Sequence, residues 1–157
     1  MTNKEIKIAY REYESLEQLE AEERKLADAA IAAMKNAYAP YSGFSVGAAV
    51  MFEDGEIVKG SNQENAAYPS GLCAERTAMF YASASRPDKA MAAIAIAAGQ
   101  KGVICGTPAT PCGACRQVMA QYQAKSGRPM KILLVGADRT WVFDKVDDLL
   151  PLIFDSI

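Results

Sequence analysis

Histidine is missing from all 157 residues. Its absence excludes the Ser-His-Asp and Cys-His nucleophile arrangements, and with them any zinc site that needs imidazole. A dedicated transition-metal site in this chain must be built mainly from thiolate. Cysteine is itself scarce: there are four, Cys73, Cys105, Cys112 and Cys115. The opening Met-Thr-Asn-Lys-Glu has no apolar signal core, so these four read as thiols and ligands, not as a disulfide framework. Long apolar runs are lacking as well. The most apolar stretch, residues 90–98, is too short to cross a bilayer. No membrane partner is expected, and a cytoplasmic location is. Nor is there a surplus of positive charge. The formal net charge of -2 disfavours a nucleic-acid backbone, which needs a basic groove, and points to a small, free substrate.

What is present is ordinary in bulk. Half of the residues are hydrophobic and 23% are charged, as in soluble globular proteins, and the length suits one domain. Residues 1–20 are expected as an N-terminal arm and 21–157 as a single domain.

Two stretches carry the chemistry. Cys73-Ala74-Glu75-Arg76 follows Pro69-Ser70-Gly71, and Cys112-Gly113-Ala114-Cys115 follows Pro111. Each begins a run of good helix formers after a breaker, which predicts a helix start. Residues three apart share a helical face, so Cys112 points with Cys115, and Cys73 with Arg76. Three thiolates gathered at two helix N-termini suit zinc, which at catalytic sites keeps three protein ligands and one open position. The helix dipoles help the thiols ionise. Glu75, two residues from a ligand, is placed for proton transfer and not for coordination. The order Cys-x-Glu then Pro-Cys-x-x-Cys is the arrangement of zinc deaminases. The competing arrangement is a structural site, closed by four ligands, with Cys105 as the fourth; Glu75 has no purpose there.

Three thiolates on zinc leave a net charge near -1, which disfavours activation of water. Arg76 is expected to donate to the sulfurs and withdraw that charge. Glu75, beside an anionic centre, is expected to have a raised pKa and to shuttle protons in both directions.

Along the chain, residues 4–13 alternate loosely, as a short strand or an ordered arm. Residues 14–25 read as a solvated linker and helix start. Leu26, Ala29, Ala30, Ala33, Met34 and Ala37 form one apolar stripe of a helix over about 20–38, ended by Pro40. Residues 45–52 and 56–60 flank Asp54-Gly55, predicting an antiparallel hairpin. Residues 61–71 are a polar loop, 72–85 a helix, 90–98 a buried strand and 99–111 a loop over the site. Residues 112–124 form the second zinc helix, with Cys112, Cys115, Met119 and Tyr122 on one stripe; for Met119 and Tyr122 core packing is expected. Gly127 caps that helix ahead of Pro129. Strands follow at 130–135 and 141–143, then a helical turn at 147–150. Strands alternating with helices after a hairpin predict an α/β sandwich around one mixed sheet.

Taken together these residues resemble the small cytidine deaminases, the homotetrameric branch with three cysteine ligands. The likeness also runs through Tyr41-Ser42-Gly43-Phe44-Ser45-Val46-Gly47-Ala48-Ala49, Asn62-Gln63-Glu64-Asn65-Ala66-Ala67-Tyr68-Pro69, Arg116-Gln117 and the ending Leu149-Leu150-Pro151 with Phe154. It covers roughly residues 22 to 154. The loop 101–110 departs from the pattern, as does Gln63. The resemblance implies a three-layer α/β/α sandwich and zinc-dependent hydrolytic deamination of cytidine and 2′-deoxycytidine. A zinc-activated water would attack C4, with Glu75 as proton shuttle and one zinc per chain on Cys73, Cys112 and Cys115. It further implies that Asn62 and Glu64 bind the ribose 3′ hydroxyl, that Phe44 lies against the pyrimidine, and that Ala74 also contacts substrate. Ala66 (through its backbone), Tyr68 and Phe154 would serve a neighbouring subunit's site, in a homotetramer working in pyrimidine salvage. A deaminase acting on blasticidin S is the nearest alternative.

Overall fold

The computed structural model describes residues 1–155. In chain order it contains β1 (Arg11–Tyr13), α1 (Ala21–Ala33), β2 (Phe44–Phe52), β3 (Ile57–Ser61), α2 (Ala74–Ser85), β4 (Met91–Gln100), β5 (Val103–Ile104), α3 (Gly113–Ser126), β6 (Lys131–Val135) and β7 (Thr140–Phe143). The strands form one sheet in the order β1-β7-β6-β4-β2-β3, with β5 paired to β4. β4 and β6 are parallel, joined by the α3 crossover, and the other pairings are antiparallel.

Successive strand residues face opposite sides of a sheet, and the core divides accordingly. Ala48, Val50, Phe52, Ile94 and Ile96 pack with Met79 of α2 and Met119 of α3. Ala49, Met51, Ala93, Ala95 and Ala97 pack with Leu26, Ala27 and Ala30 of α1. The result is the expected three-layer α/β/α sandwich. Leu26 and Met79 are fully buried, contributing about 1.5–3 kcal/mol each. Two glycines set how closely the layers approach. A Cβ on Gly47 would stand 2.1 Å from the Ala30 carbonyl oxygen, and one on Gly60 would stand 2.4 Å from the Ala78 nitrogen. α1 and α2 therefore rest directly on the strands, one on each face.

The register places the chemistry at one end of the sheet. Phe44 pairs with Gln100 and Gly47 with Ser61, so the start of β2 lies beside the ends of β3 and β4. The chain leaves β3 and β4 at this end, and α2 and α3 begin after those exits. Ligand sites in open α/β sheets collect at such strand ends.

Four expectations shift. The α1 pattern was expected to run to about Tyr38, but the α-helix ends at Ala33 and a 3-10 turn spans Met34–Asn36. Ser61 Oγ donates to the Asn36 carbonyl, and the Tyr38 N–H donates to the Asn62 carbonyl; these lateral bonds draw the chain away from helical geometry before Pro40. Second, residues 99–111 contain a strand. Lys101 and Gly102 both have positive φ, 51° and 79°, as a two-residue type I′ hairpin turn requires, and β5 folds back on β4. Lys-Gly is a weak signal for that turn compared with Asn-Gly. Third, the loose alternation in residues 4–13 becomes a strand only at Arg11–Tyr13, where it pairs with β7. Arg11 forms a two-pronged ion pair with Asp144, and Tyr10 stacks on Phe143 with ring centroids 5.1 Å apart. Fourth, the last helical turn is a 3-10 turn at Val146–Asp148.

Candidate metal centre and adjoining cavity

Cys73 is the N-cap of α2 and Cys112 the N-cap of α3; Cys115 lies in the first turn of α3. Their three Sγ atoms lie within 4.8 Å of one another, and Cys112 Sγ is 3.6 Å from Cys115 Sγ. Tetrahedral thiolates bound about 2.3 Å from zinc stand about 3.8 Å apart, so donor type and spacing both fit one zinc ion per chain. Cys105 is not part of the cluster. The fourth position that a closed structural site needs is therefore not supplied by cysteine.

Local bonds fix both helix starts. The Gln63 and Leu72 backbones exchange two 2.9 Å hydrogen bonds, closing the polar loop immediately before Cys73. At the other start, Arg116 Nε donates to the Pro111 carbonyl at 2.9 Å and Nη1 to the Leu149 carbonyl at 2.8 Å. That side chain ties the approach to Cys112 to the C-terminal segment.

The cluster is electrostatically uneven. The Cys73 thiol is pulled down to about 5, chiefly by a hydrogen bond from Cys115 and then by Arg76. The Cys115 thiol, donor in that bond and fully buried, is pushed up. Arg76 Nη2 lies 3.5 Å from Cys73 Sγ, which is the contact expected of it. Glu75 is 5% exposed. Burial raises its pKa, and the charge of Cys73 raises it further.

The cluster opens into a cavity of about 700 Å³, whose walls include Phe44, Asn62, Glu64, Ala74, Glu75 and Arg76. That is within the usual range for small-molecule sites. Asn62 is held in place by the strand beside it: its Oδ1 accepts from the Val46 N–H at 2.8 Å, and its Nδ2 donates to the Phe44 carbonyl at 2.9 Å. Glu64 accepts from the Tyr41 and Ser42 amides through Oε2. These bonds, led by one from the Ser42 hydroxyl, hold its carboxyl below the usual range.

These six residues singled out in the sequence thus meet around one cavity, together with Cys73 and Cys112 of the cluster. Tyr68 lines it as well, with its ring edge-on to Tyr41 at 6.2 Å. Ala66 and Phe154 do not line this chain's own cavity. Ala66 is exposed, while Phe154 is 69% exposed and its carbonyl accepts from Gln117 Nε2 at 2.8 Å. Tyr41, Ser42, Leu72 and Thr110 also line the cavity. Tyr41 and Ser42 stood inside a recognised stretch of sequence, but nothing in their spacing assigned them a contact.

The model of the cytidine and deoxycytidylate deaminase zinc-binding region matches residues 20–127. A cytidine deaminase of Halalkalibacterium halodurans is 52% identical over 93 residues, 59% of this chain and 65% of that relative. The chain thus matches a little under two thirds of that relative's length. A probable cytidine deaminase of Dictyostelium discoideum is 34% identical over 132 residues, 84% of this chain and 83% of that one. The crystal structure of cytidine deaminase from Burkholderia pseudomallei superposes with a TM-score of 0.70 at 41% identity, covering 83% of this chain and 97% of that one. The matched residues include the whole thiol cluster, and this chain belongs to the cytidine and deoxycytidylate deaminase zinc-binding family.

Proposed function

We propose that this protein hydrolyses cytidine and 2′-deoxycytidine to uridine and 2′-deoxyuridine, releasing ammonia. The observation that carries the reading is a buried carboxylate, Glu75, two residues from one member of a three-thiol cluster, at the wall of a nucleoside-sized cavity. Cys73, Cys112 and Cys115 would hold a zinc ion, whose Lewis acidity would supply an acidified water as nucleophile. Glu75 takes up a proton at its carboxylate, delivers it to the ring nitrogen beside the attacked carbon, and then serves the departing amine. A carboxyl raised by burial is suited to both directions of transfer. Arg76 donates to the Cys73 sulfur and reduces the negative charge of a three-thiolate centre.

Substrate is held by the rest of the cavity. Phe44 and Ala74 bound the base, and Asn62 and Glu64 meet the sugar's 3′ hydroxyl. Ala66 (through its backbone), Phe154 and Tyr68, which also lines its own chain's cavity, serve the site of a neighbouring copy in a homotetramer. The high exposure of Tyr68 and Phe154, 78% and 69%, supports contacts outside their own core. Residues 21–157 act as one domain, with 1–20 as an added arm, and the setting is pyrimidine salvage in the cytoplasm. No membrane-crossing helix is found among the described residues. The relatives named above are called cytidine deaminases, which favours the free nucleoside over blasticidin S.

The test is ammonia release from cytidine by purified protein, with zinc per chain measured on the same sample. Turnover with about one zinc per chain is expected, since the described residues contain one three-thiol cluster. Zinc without turnover on any cytosine nucleoside would overturn the reading.

A further inference from the structure

Ser42 connects the two sides of the cavity through a single oxygen. Its hydroxyl donates to Glu64 Oε1 at 2.5 Å and accepts from the Phe44 N–H at 3.0 Å. Glu64 and Phe44 lie on different segments, the loop after β3 and the first residue of β2. The other bonds to Glu64 come from backbone: its Oε2 accepts from the Tyr41 N–H at 2.8 Å and the Ser42 N–H at 3.3 Å. Among the described residues, Ser42 is the only side chain that hydrogen-bonds this carboxylate. Gly43, between Ser42 and Phe44, has a φ of 64°. That left-handed residue turns the chain so that the Phe44 amide points back at the serine oxygen.

We propose that Ser42 is a positioning residue for the sugar end of the substrate: it sets the orientation of Glu64 relative to Phe44 and so governs recognition of the 3′ hydroxyl. The inference rests on the nucleoside reading above. A carboxylate has about four lone-pair sites, and three here are engaged by the 41–42 loop, which leaves Glu64 fixed with one site for an incoming hydroxyl. Without the serine oxygen, Oε1 loses its partner, and the carboxylate can pivot about Oε2, which the Tyr41 and Ser42 amides still hold. The hydroxyl group to be recognised then meets a mobile acceptor and binds more weakly. The chemical step, at the other end of the substrate, does not depend on this bond. Loss of binding common to ground state and transition state raises KM and leaves kcat.

Ser42→Ala, Ser42→Thr, Glu64→Gln and the double variant Ser42→Ala with Glu64→Gln test this, with two readouts: affinity for uridine and 3′-deoxyuridine by calorimetry, and steady-state kinetics on cytidine. Ser42→Ala is expected to weaken uridine binding and raise KM by about tenfold, the scale of one hydrogen bond to a charged group. Affinity for 3′-deoxyuridine should change far less, and kcat should stay within about twofold. Ser42→Thr, which keeps the hydroxyl, should restore both. The acid-side rise in KM should begin at higher pH in Ser42→Ala, because the largest cause depressing the Glu64 pKa is gone. Equal losses for uridine and 3′-deoxyuridine would overturn the proposal, as would failure of Ser42→Thr to rescue, or a Ser42→Ala loss that adds in full to that of Glu64→Gln. Wild-type protein that binds uridine but never deaminates cytidine would refute the proposed reaction while leaving the Ser42 comparison decisive. Wild-type protein that binds no nucleoside would refute both.

Discussion

The cavity end of the sheet and its β7 edge are built in opposite ways. At the cavity, polar side chains are held by backbone groups from distant segments: Asn62 on Val46 and Phe44, Glu64 on Tyr41 and Ser42, Arg116 on Pro111 and Leu149. Backbone partners cannot swing away, so the site keeps its geometry without substrate. At the edge, β1 joins β7 through three residue pairs, and side chains complete the join: the exposed pair Arg11 and Asp144, half-buried Trp141 Nε1 with Glu12 at 2.6 Å, and exposed Tyr10 on buried Phe143. An exposed ion pair such as Arg11 with Asp144 is screened and entropically costly, but together these contacts hold β1 over a strand edge that would otherwise offer unpaired amides to other chains. One region is organised for chemistry and the other for integrity, so damage to each should appear in a different measurement.

The largest effect expected is on turnover at the cavity. Glu75→Gln should lower kcat by about 10²–10⁴-fold or more, since general acid–base transfer alone is worth that much. Zinc content, read by elemental analysis, should stay at the wild-type level. A nearly active Glu75→Gln protein would remove the carboxylate from the reaction and leave the cavity a binding site only. Arg76→Gln comes next. Loss of a group that hydrogen-bonds a metal ligand typically costs about 10–100-fold in activity or metal affinity. The fall should appear in turnover per bound zinc, and an unchanged rate would make Arg76 a bystander to Cys73.

At the edge the expected losses are in stability. Deleting residues 1–13 removes β1 and the stacking of Tyr10, and should lower the melting temperature by about 3–6 °C. Turnover per zinc should stay within about twofold, because distant sites act independently. A truncated protein that melts normally but fails to turn over would place the arm in the site and dissolve the contrast. The smallest effect lies at the end of the sheet opposite the cavity. Lys89 contacts Asp54 at 2.5 Å and Glu56 at 2.7 Å, and Arg86 contacts Glu56 at 2.9 Å. Hydrogen bonds to Lys89 are the first cause of the lowered pKa of both carboxylates. A depressed carboxyl pKa stabilises the fold above the ordinary carboxylate value, and this contribution is lost as pH falls through the lower, folded value. Lys89→Met should therefore reduce the urea midpoint slightly at pH 7, and the gap from wild type should shrink toward pH 3. A gap that persisted in acid would mean that the Lys89 ammonium acts on the face of Phe52, whose ring centroid lies 5.7 Å from Nζ, because acid leaves that charge in place.

Legibility in the sequence followed the range of each interaction. The Asp54-Gly55 hairpin, the two helix starts at Cys73 and Cys112, and the Gly127 cap, with its φ of 64°, depend on neighbours a few residues away. All could be read from composition and spacing. The early end of α1 could not, because it is imposed by Ser61 and Asn62, which are far along the chain. β1 carries no strong strand signal of its own and exists because β7 offers an edge. β5 forms through a Lys101-Gly102 turn whose left-handed lysine no simple preference favours.

Sequence spacing by itself determined that Cys112 shares a helical face with Cys115 and Cys73 with Arg76, and that zinc would have to be held without histidine. These follow from helix geometry and composition, which need no tertiary information. Only the folded chain decided that the two faces meet within 4.8 Å, that Cys105 stays out of the cluster, and that Ser42 holds Glu64. Those depend on how α2 and α3 rest on a shared sheet end. That packing is set by contacts such as Gly60 against Ala78, whose partners are brought together by the sheet and not by their spacing along the chain.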